Sequence, residues 1–491
     1  MKRRGFVPNT RTYNLLLAGL SRIEKWEEHT LQFKNAQALW RSFLRYIEHL
    51  KKTNPGHSDI EPNPAAFYIS ILAANKEYNS IFDVLNDLDH EGRFSPTEFI
   101  YSKTLQAITY RSQLTPGDKE KLAYRNASDA KLLWKDLSKR AAKNPELVSD
   151  RIILYLLKTL MKGRLTDQLY AFDFVRDYLG LSKPGEEAPQ RRVKLSPITL
   201  DAVLLLCLAT ENHRLCIHYV RHLMDEAGTN DRECIIDQRH IDRALESHVA
   251  MTIAGSAGES RSAVETIEWM HRYHALGLNV EPQASTYGWG LMTCWRGGDW
   301  ASAVRIAELM TGCHAEDFVD DSPNLPSPRL DNRSKGRMFV PDVRNISCLL
   351  RAASGSDEVA NMRQCLRMTT FFGDLRSSSI AKSMNAYLDR SSANAAVAGR
   401  GESFYFMKMA SALVQVLTRV LEGTDPVADT PEMKAWRELR IRTNKILRES
   451  SKSPESESQL LGSSGALEAT ERFVDRDLAR RSQKSGRSVR Q

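Results

Sequence analysis

Histidines and cysteines are the side chains whose spacing first invites a chemical reading. Cys313-His314-Ala315-Glu316 contains H-x-E, half of a zinc-deaminase signature, in which an imidazole binds the metal and a glutamate moves protons. The other half, P-C-x-x-C, is absent, and the next cysteines downstream are Cys348 and Cys365. One imidazole without paired thiolates does not hold zinc, so the segment reads as an exposed acidic loop in an insertion. His213, His218 and His222 fall on one expected helix, but Tyr219 stands where H-E-x-x-H chemistry needs its glutamate. They read as surface histidines. Gly288-Trp289-Gly290 opens no G-x-G-x-x-G loop, and no P-loop, nucleophile elbow or aspartate cluster occurs. The expectation is a protein that is not an enzyme, with no cofactor, no metal and no catalytic residue.

The elements that position the remaining polar residues can be read from composition. Of 491 residues, only 26 are glycine and 18 proline, while 42% are hydrophobic. That shortage of turn residues favours helices over a many-turned β-sandwich. The most apolar run, residues 203–209, falls far short of the ~20 residues a membrane-crossing helix needs. Seven cysteines, never spaced C-x-x-C, argue against a disulfide scaffold or zinc ribbon and for small buried hydrophobes. The 69 basic residues exceed the 61 acidic ones by 8, too mild an excess to identify a nucleic-acid binder by itself.

Internal repetition is visible. Ser262-Ala263-Val264-Glu265-Thr266-Ile267-Glu268-Trp269-Met270 aligns without a gap on Ser302-Ala303-Val304-Arg305-Ile306-Ala307-Glu308-Leu309-Met310, 40 residues on. Near the start, Tyr13, Leu16, Leu17 and Leu20 occupy one face of a helix, and Ala36, Leu39, Trp40, Phe43, Leu44 and Ile47 form a stripe on a second. One hairpin cannot bury both stripes, so neighbouring hairpins must stack on it. Three less regular units are expected near 150–179, 198–226 and 240–275. The period is broken by insertions such as 115–120 and 320–336.

A junction recurs between these units: a proline, a polar residue, then an aromatic or aliphatic residue inside the next helix. It reads Pro8-Asn9 before Tyr13-Asn14, Pro62-Asn63 before Phe67-Tyr68, and Pro96-Thr97 before Tyr101-Ser102. It returns as Pro282-Gln283 before Tyr287-Gly288, and as Pro341-Asp342 before Ile346-Ser347. Over residues 1–372 the chain thus resembles pentatricopeptide repeat proteins, of the irregular fungal mitochondrial type. The resemblance implies an all-α, right-handed superhelical solenoid of about eight helix–turn–helix repeats. It implies single-stranded mitochondrial RNA, messenger or ribosomal precursor, as the partner, with the mitochondrial ribosomal small subunit as a further one. Processing, splicing, stability or translation of transcripts, small-subunit rRNA included, is the implied role, and the mitochondrial matrix the implied location.

In that family one base is met by the residue after the helix aromatic and by the polar residue after the junction proline. Carried over here, the first set is Asn14, Tyr68, Ser102, Gly288 and Ser347. The second is Asn63, Thr97, Gln283 and Asp342, with Asn9 belonging to a repeat that is cut off. Of these, Asn14, Asn63, Ser102, Gln283, Asp342 and Ser347 are the expected RNA contacts; Tyr68 and Gly288 depart from the pattern. For each, the competing reading is a helix cap or a solvated polar position. A rival function for the whole chain is a non-catalytic protein scaffold for the mitochondrial ribosome or its assembly. Residues 373–449 are expected to cap the solenoid with helices at 376–395, 402–422 and 431–449. Residues 450–491 read as a low-complexity linker, a short helix and a basic tail carrying Arg480, Arg481, Lys484, Arg487 and Arg490. The first acid is Glu24. This basic opening already reads as repeat structure rather than as a transit peptide, so that the chain begins mid-repeat and a longer natural N-terminus is expected.

Overall fold

Local signals start several of the helices. Asn9 accepts the Thr12 N–H at 3.0 Å ahead of α1 (Thr10–Leu20), and Asp118 accepts the Glu120 N–H at 3.1 Å ahead of α6 (Lys119–Ala141). Ser196, Asp299 and Asp342 do the same for α9 (Pro197–Ala209), α14 (Trp300–Thr311) and α15 (Val343–Gly355). Such a cap stabilises a helix by ~1 kcal/mol. The structure, a computed structural model, describes residues 8–114, 118–229, 234–278, 280–325, 327–331, 339–375, 400–422 and 430–450.

The remaining helices of the first half are α2 (Thr30–Thr53), α3 (Asn63–Ala74), α4 (Tyr78–Asn86), α5 (Glu98–Leu114), α7 (Asp150–Leu160), α8 (Leu165–Leu179) and α10 (His213–Thr229). Those of the second are α11 (Gln238–Ile253), α12 (Glu259–Ala275), α13 (Ala284–Gly297), α16 (Val359–Leu375), α17 (Arg400–Glu422) and α18 (Pro431–Ser450). The described residues contain no strand, only an isolated bridge between Cys313 and Leu330. None of their helices is long and apolar enough to cross a membrane. The fold is all-α.

Two compact units divide the chain, Met1–Tyr219 and Val220–Gln491. In the first, α1 packs on α3, α3 on α5, α5 on α7 and α7 on α9, while α2, α4, α6 and α8 each lie against the odd-numbered helix before them. In the second, α11, α13, α15 and α17 succeed one another in the same way, with α12, α14, α16 and α18 alongside. The helix expected at 376–395 and the tail beyond 450 lie outside the described residues. The segment 402–422 falls in α17, which packs on α15, and 431–449 falls in α18.

An odd-numbered helix covered on three sides must be apolar on three sides. In α9, Leu200, Ala202, Val203, Leu204, Leu206 and Cys207 are all fully buried, and each such aliphatic side chain contributes ~1.5–3 kcal/mol on burial. In α2 the buried stripe is Ala36, Trp40, Phe43 and Ile47, with Leu39 and Leu44 at its margin. The 40-residue repeat appears as matched burial in α12 and α14: Ala263 with Ala303, Ile267 with Ala307, Met270 with Met310. The expected face of α1 needs one correction. Tyr13 and Leu17 are buried, whereas Leu16 is 46% and Leu15 65% exposed. The covering helices α2 and α3 reach only the side of α1 that carries Thr10, Tyr13 and Leu17. Gly163 leaves no room for a side chain, since a Cβ there would stand 2.9 Å from that of Ala127.

Candidate nucleic-acid interface

The junction motif has a plain structural meaning. Pro62, Pro96, Pro282 and Pro341 are buried, and so are the residues five places after three of them, Tyr101, Tyr287 and Ile346, together with Tyr13 of the first junction; after Pro62 the aromatic Phe67 is half-buried and Tyr68 beside it is buried. Three of the tyrosines fix their hydroxyls on a neighbouring even-numbered helix: Tyr13 with Ser42 at 3.0 Å, Tyr101 with Asp136 at 2.5 Å, Tyr287 with His271 at 2.8 Å. Tyr68 stacks on Trp40 with centroids 5.1 Å apart, and burial pushes its phenol up to about 12.

The expected base-reading residues fall into two groups. Those after the proline begin helices: Asn63 donates to Glu61 at 3.1 Å, and the Gln283 N–H reaches Thr286 Oγ1 at 3.3 Å. Asp342 accepts the Asn345 N–H at 2.9 Å, and the Thr97 carbonyl accepts from Ile100 and Tyr101. Of those after the aromatic, Ser102 and Ser347 are buried, and Gly288 and Ser347 line one small cavity of about 10 Å³ with Arg344 and Tyr405. Asn14 alone of this group is half-buried on the open side of its helix, next to exposed Arg11 and Leu15. The set does not form one surface.

A different set does, within the first unit. Because α3, α5 and α7 are covered on three sides, only a narrow strip of each meets solvent. On α3 the strip carries Asn63, Phe67, Ser70 and Ala74; on α5, Phe99, Lys103, Gln106 and Tyr110; on α7, Arg151, Tyr155 and Lys158. The three strips adjoin. Phe67 meets Phe99 edge to face at 5.8 Å, Lys103 Nζ stands 5.8 Å from the Phe99 centroid, and Lys103 donates to Gln106 Oε1 at 3.1 Å. Burial pushes the Tyr155 phenol up and nearby Tyr110 adds to this, while Arg151 and a hydrogen bond from Gln106 oppose it. Glu98 and Asp150 are the only carboxylates on these three helices. Both sit in the first turn, where Ser149 donates to Glu98 and Ser196 to Asp150.

Sequence spacing alone missed this strip, because Phe67, Phe99, Tyr110 and Tyr155 pass for core residues in such apolar helices. The available signal was their spacing with Lys103, Gln106, Arg151 and Lys158 at i, i+4 and i+7. The second unit exposes a more mixed face. Asp242, Arg243 and Glu246 lie on α11, while Arg296 and Arg351 stack on Trp295 at 3.8 and 4.4 Å and Arg344 on Tyr405 at 4.4 Å.

The H-x-E segment is an exposed loop only in part: the Glu316 side chain is exposed, but Cys313 and Ala315 are buried. Residues 315–318 form a 3₁₀ turn in which Asp317, 1% exposed, accepts from Asn324 Nδ2 at 2.9 Å and from Arg329 N and Nη2 at 2.8 and 2.7 Å. His314 pairs with Asp331 at 3.2 Å. Among the described residues no group of three or more histidines, cysteines or acids is placed to hold a metal. Of the three helical histidines, burial pushes His213 down, and His222 pairs with Glu226 at 3.4 Å.

Two rows of stacked helices define the class, an α-helical repeat protein. No protein-family model matches the chain, and no curated protein matches it.

Proposed function

We propose that this protein binds single-stranded RNA through the open face of its odd-numbered helices, as a pentatricopeptide-like solenoid acting on mitochondrial transcripts, small-subunit rRNA among them. The observation that carries the reading is the strip on α3, α5 and α7, where half-buried aromatics alternate with Lys103, Arg151 and Lys158 and no carboxylate comes after the first turn. Aromatic faces and uncompensated cations suit unstacked bases and phosphates. An acidic or purely aliphatic groove would instead have suited a protein partner. The recurrent junction supports the family side of the reading, and with it the mitochondrial matrix as location.

Ultraviolet crosslinking of the tagged protein in its own cells, with sequencing of the bound RNA, tests this. Crosslinks concentrated on mitochondrial transcripts are expected; an RNA-free protein recovered with ribosomal or assembly proteins would replace the reading by a scaffold. That second reading draws on the exposed Leu132, Leu165 and Leu169 of α6 and α8, helices joined through the ring contact of Trp134 with Phe174 at 4.8 Å.

A further inference from the structure

Of the residues expected to read base edges, Ser102 and Ser347 are buried between helices and Asp342 is occupied as a cap, while the strip on α3, α5 and α7 offers ring faces and positive charge to solvent. We infer that the first unit holds single-stranded RNA by stacking bases on Phe67, Phe99, Tyr110 and Tyr155, with Lys103, Arg151 and Lys158 at the phosphates, and therefore binds with little regard to sequence. This deepens the RNA-binding reading and rests on it.

Three observations support the stacking mode. First, the four rings come from three successive odd-numbered helices, which pack ~8–10 Å apart, so they offer stations along a strand rather than one pocket. Second, the rings are half-buried and braced: Phe67 against Phe99, and Tyr155 beside Tyr110 with Gln106 bonded to its phenol. A braced ring loses little freedom when a base stacks on it. Third, no described carboxylate pairs with Lys103, Arg151 or Lys158. A base presents a π face whatever its identity, so stacking tolerates any sequence. Edge readout would need free donors and acceptors. Here Asp342 spends its carboxylate on the start of α15, the Asn63 amide donates to Glu61, and Ser102 and Ser347 are buried. A polyanion that carries rings satisfies both features of the strip; a protein helix would leave three cations stripped of water.

Fluorescence anisotropy of the full-length chain with labelled RNAs of about 12 nucleotides, poly-U, poly-A, poly-C and a mixed sequence, tests this. Expected dissociation constants fall within ~10-fold of one another. Phe99→Leu and Tyr155→Leu, which keep an apolar side chain and should keep the helical circular dichroism, are expected to weaken every RNA by about 5- to 100-fold. Asn14→Ala should change binding less than ~2-fold, whereas a base-reading code would make it matter for one sequence. If the unaltered chain binds RNA but both leucine variants bind equally well, or one sequence is preferred by more than ~10-fold, the stacking platform is wrong and RNA binding stands. If the unaltered chain binds none of the RNAs, the RNA reading fails and this inference with it.

Discussion

Asp317 begins as one acid among several in a polar insertion and ends as an anchor. The Arg329 guanidinium and backbone N–H, together with Asn324, hold its carboxyl well below the usual carboxylate range. A folded-state pKa below the unfolded value of ~3.9 contributes stability at neutral pH that is lost as the pH falls through and below about 4. Asp317→Asn should therefore lower the melting temperature at pH 7, and the gap from the unaltered chain should narrow by about pH 3. Melting curves recorded by circular dichroism at both pH values measure this, and a gap that stays constant would show that ionisation is not what anchors the turn. The partner lies 12 residues away across a loop, so no local pattern announces the pair. The cysteines were legible by contrast. All seven described are free, six are buried, and burial pushes the Cys207, Cys294 and Cys365 thiols up, as expected of small hydrophobes lacking metal spacing.

Between elements, a hydroxyl–carboxylate clasp recurs. Ser149 at the start of α7 donates to Glu98 at the start of α5. Ser196 ahead of α9 donates to Asp150 of α7 at 2.6 Å, and Ser285 and Thr286 of α13 donate to Asp242 of α11 at 3.0 and 2.8 Å. The first two clasps set a carboxylate between two helix N-termini, whose partial positive charge favours it, whereas Asp242 stands in the second turn of α11, where burial pushes its carboxyl up; each clasp ties one odd-numbered helix to the next. The apolar spacing that forms each helix was readable, as were the aromatic residues that seat it. The clasp was not, because insertions change its separation from 51 to 46 to 43 residues. Asp150→Ala and Ser196→Ala should each cost ~1–2 kcal/mol, and the double variant at least ~0.5 kcal/mol less than the two together. Urea denaturation of the three variants supplies the cycle. Additive losses would mean that Ser196 acts only as the cap of α9, where its Oγ also accepts the Thr199 N–H at 3.3 Å.

For the whole molecule, alternating helices were legible because stacked hairpins repeat their burial, as the matched residues of α12 and α14 show. Which side chains those helices turn toward solvent was not legible, since an aromatic on an uncovered strip and one in the core look alike in sequence. The same holds for charge. An excess of 8 basic residues says little when many of them, such as Arg111, Arg329 and Arg367, are tied to Asp129, Asp317 and Glu432. Affinity for a strand should track the cations of the strip instead. Each phosphate neutralised on single-stranded RNA steepens the log–log salt dependence by ~0.7, so Lys103, Arg151 and Lys158 together predict a slope near ~2 in magnitude. Replacing all three by glutamine should flatten it toward zero while leaving the aromatic contribution, and hence some binding at high salt, in place. A triple variant that keeps the full slope would move the phosphate contacts off α5 and α7 and onto other cations, with the arginines stacked on Trp295 and Tyr405 the next to replace.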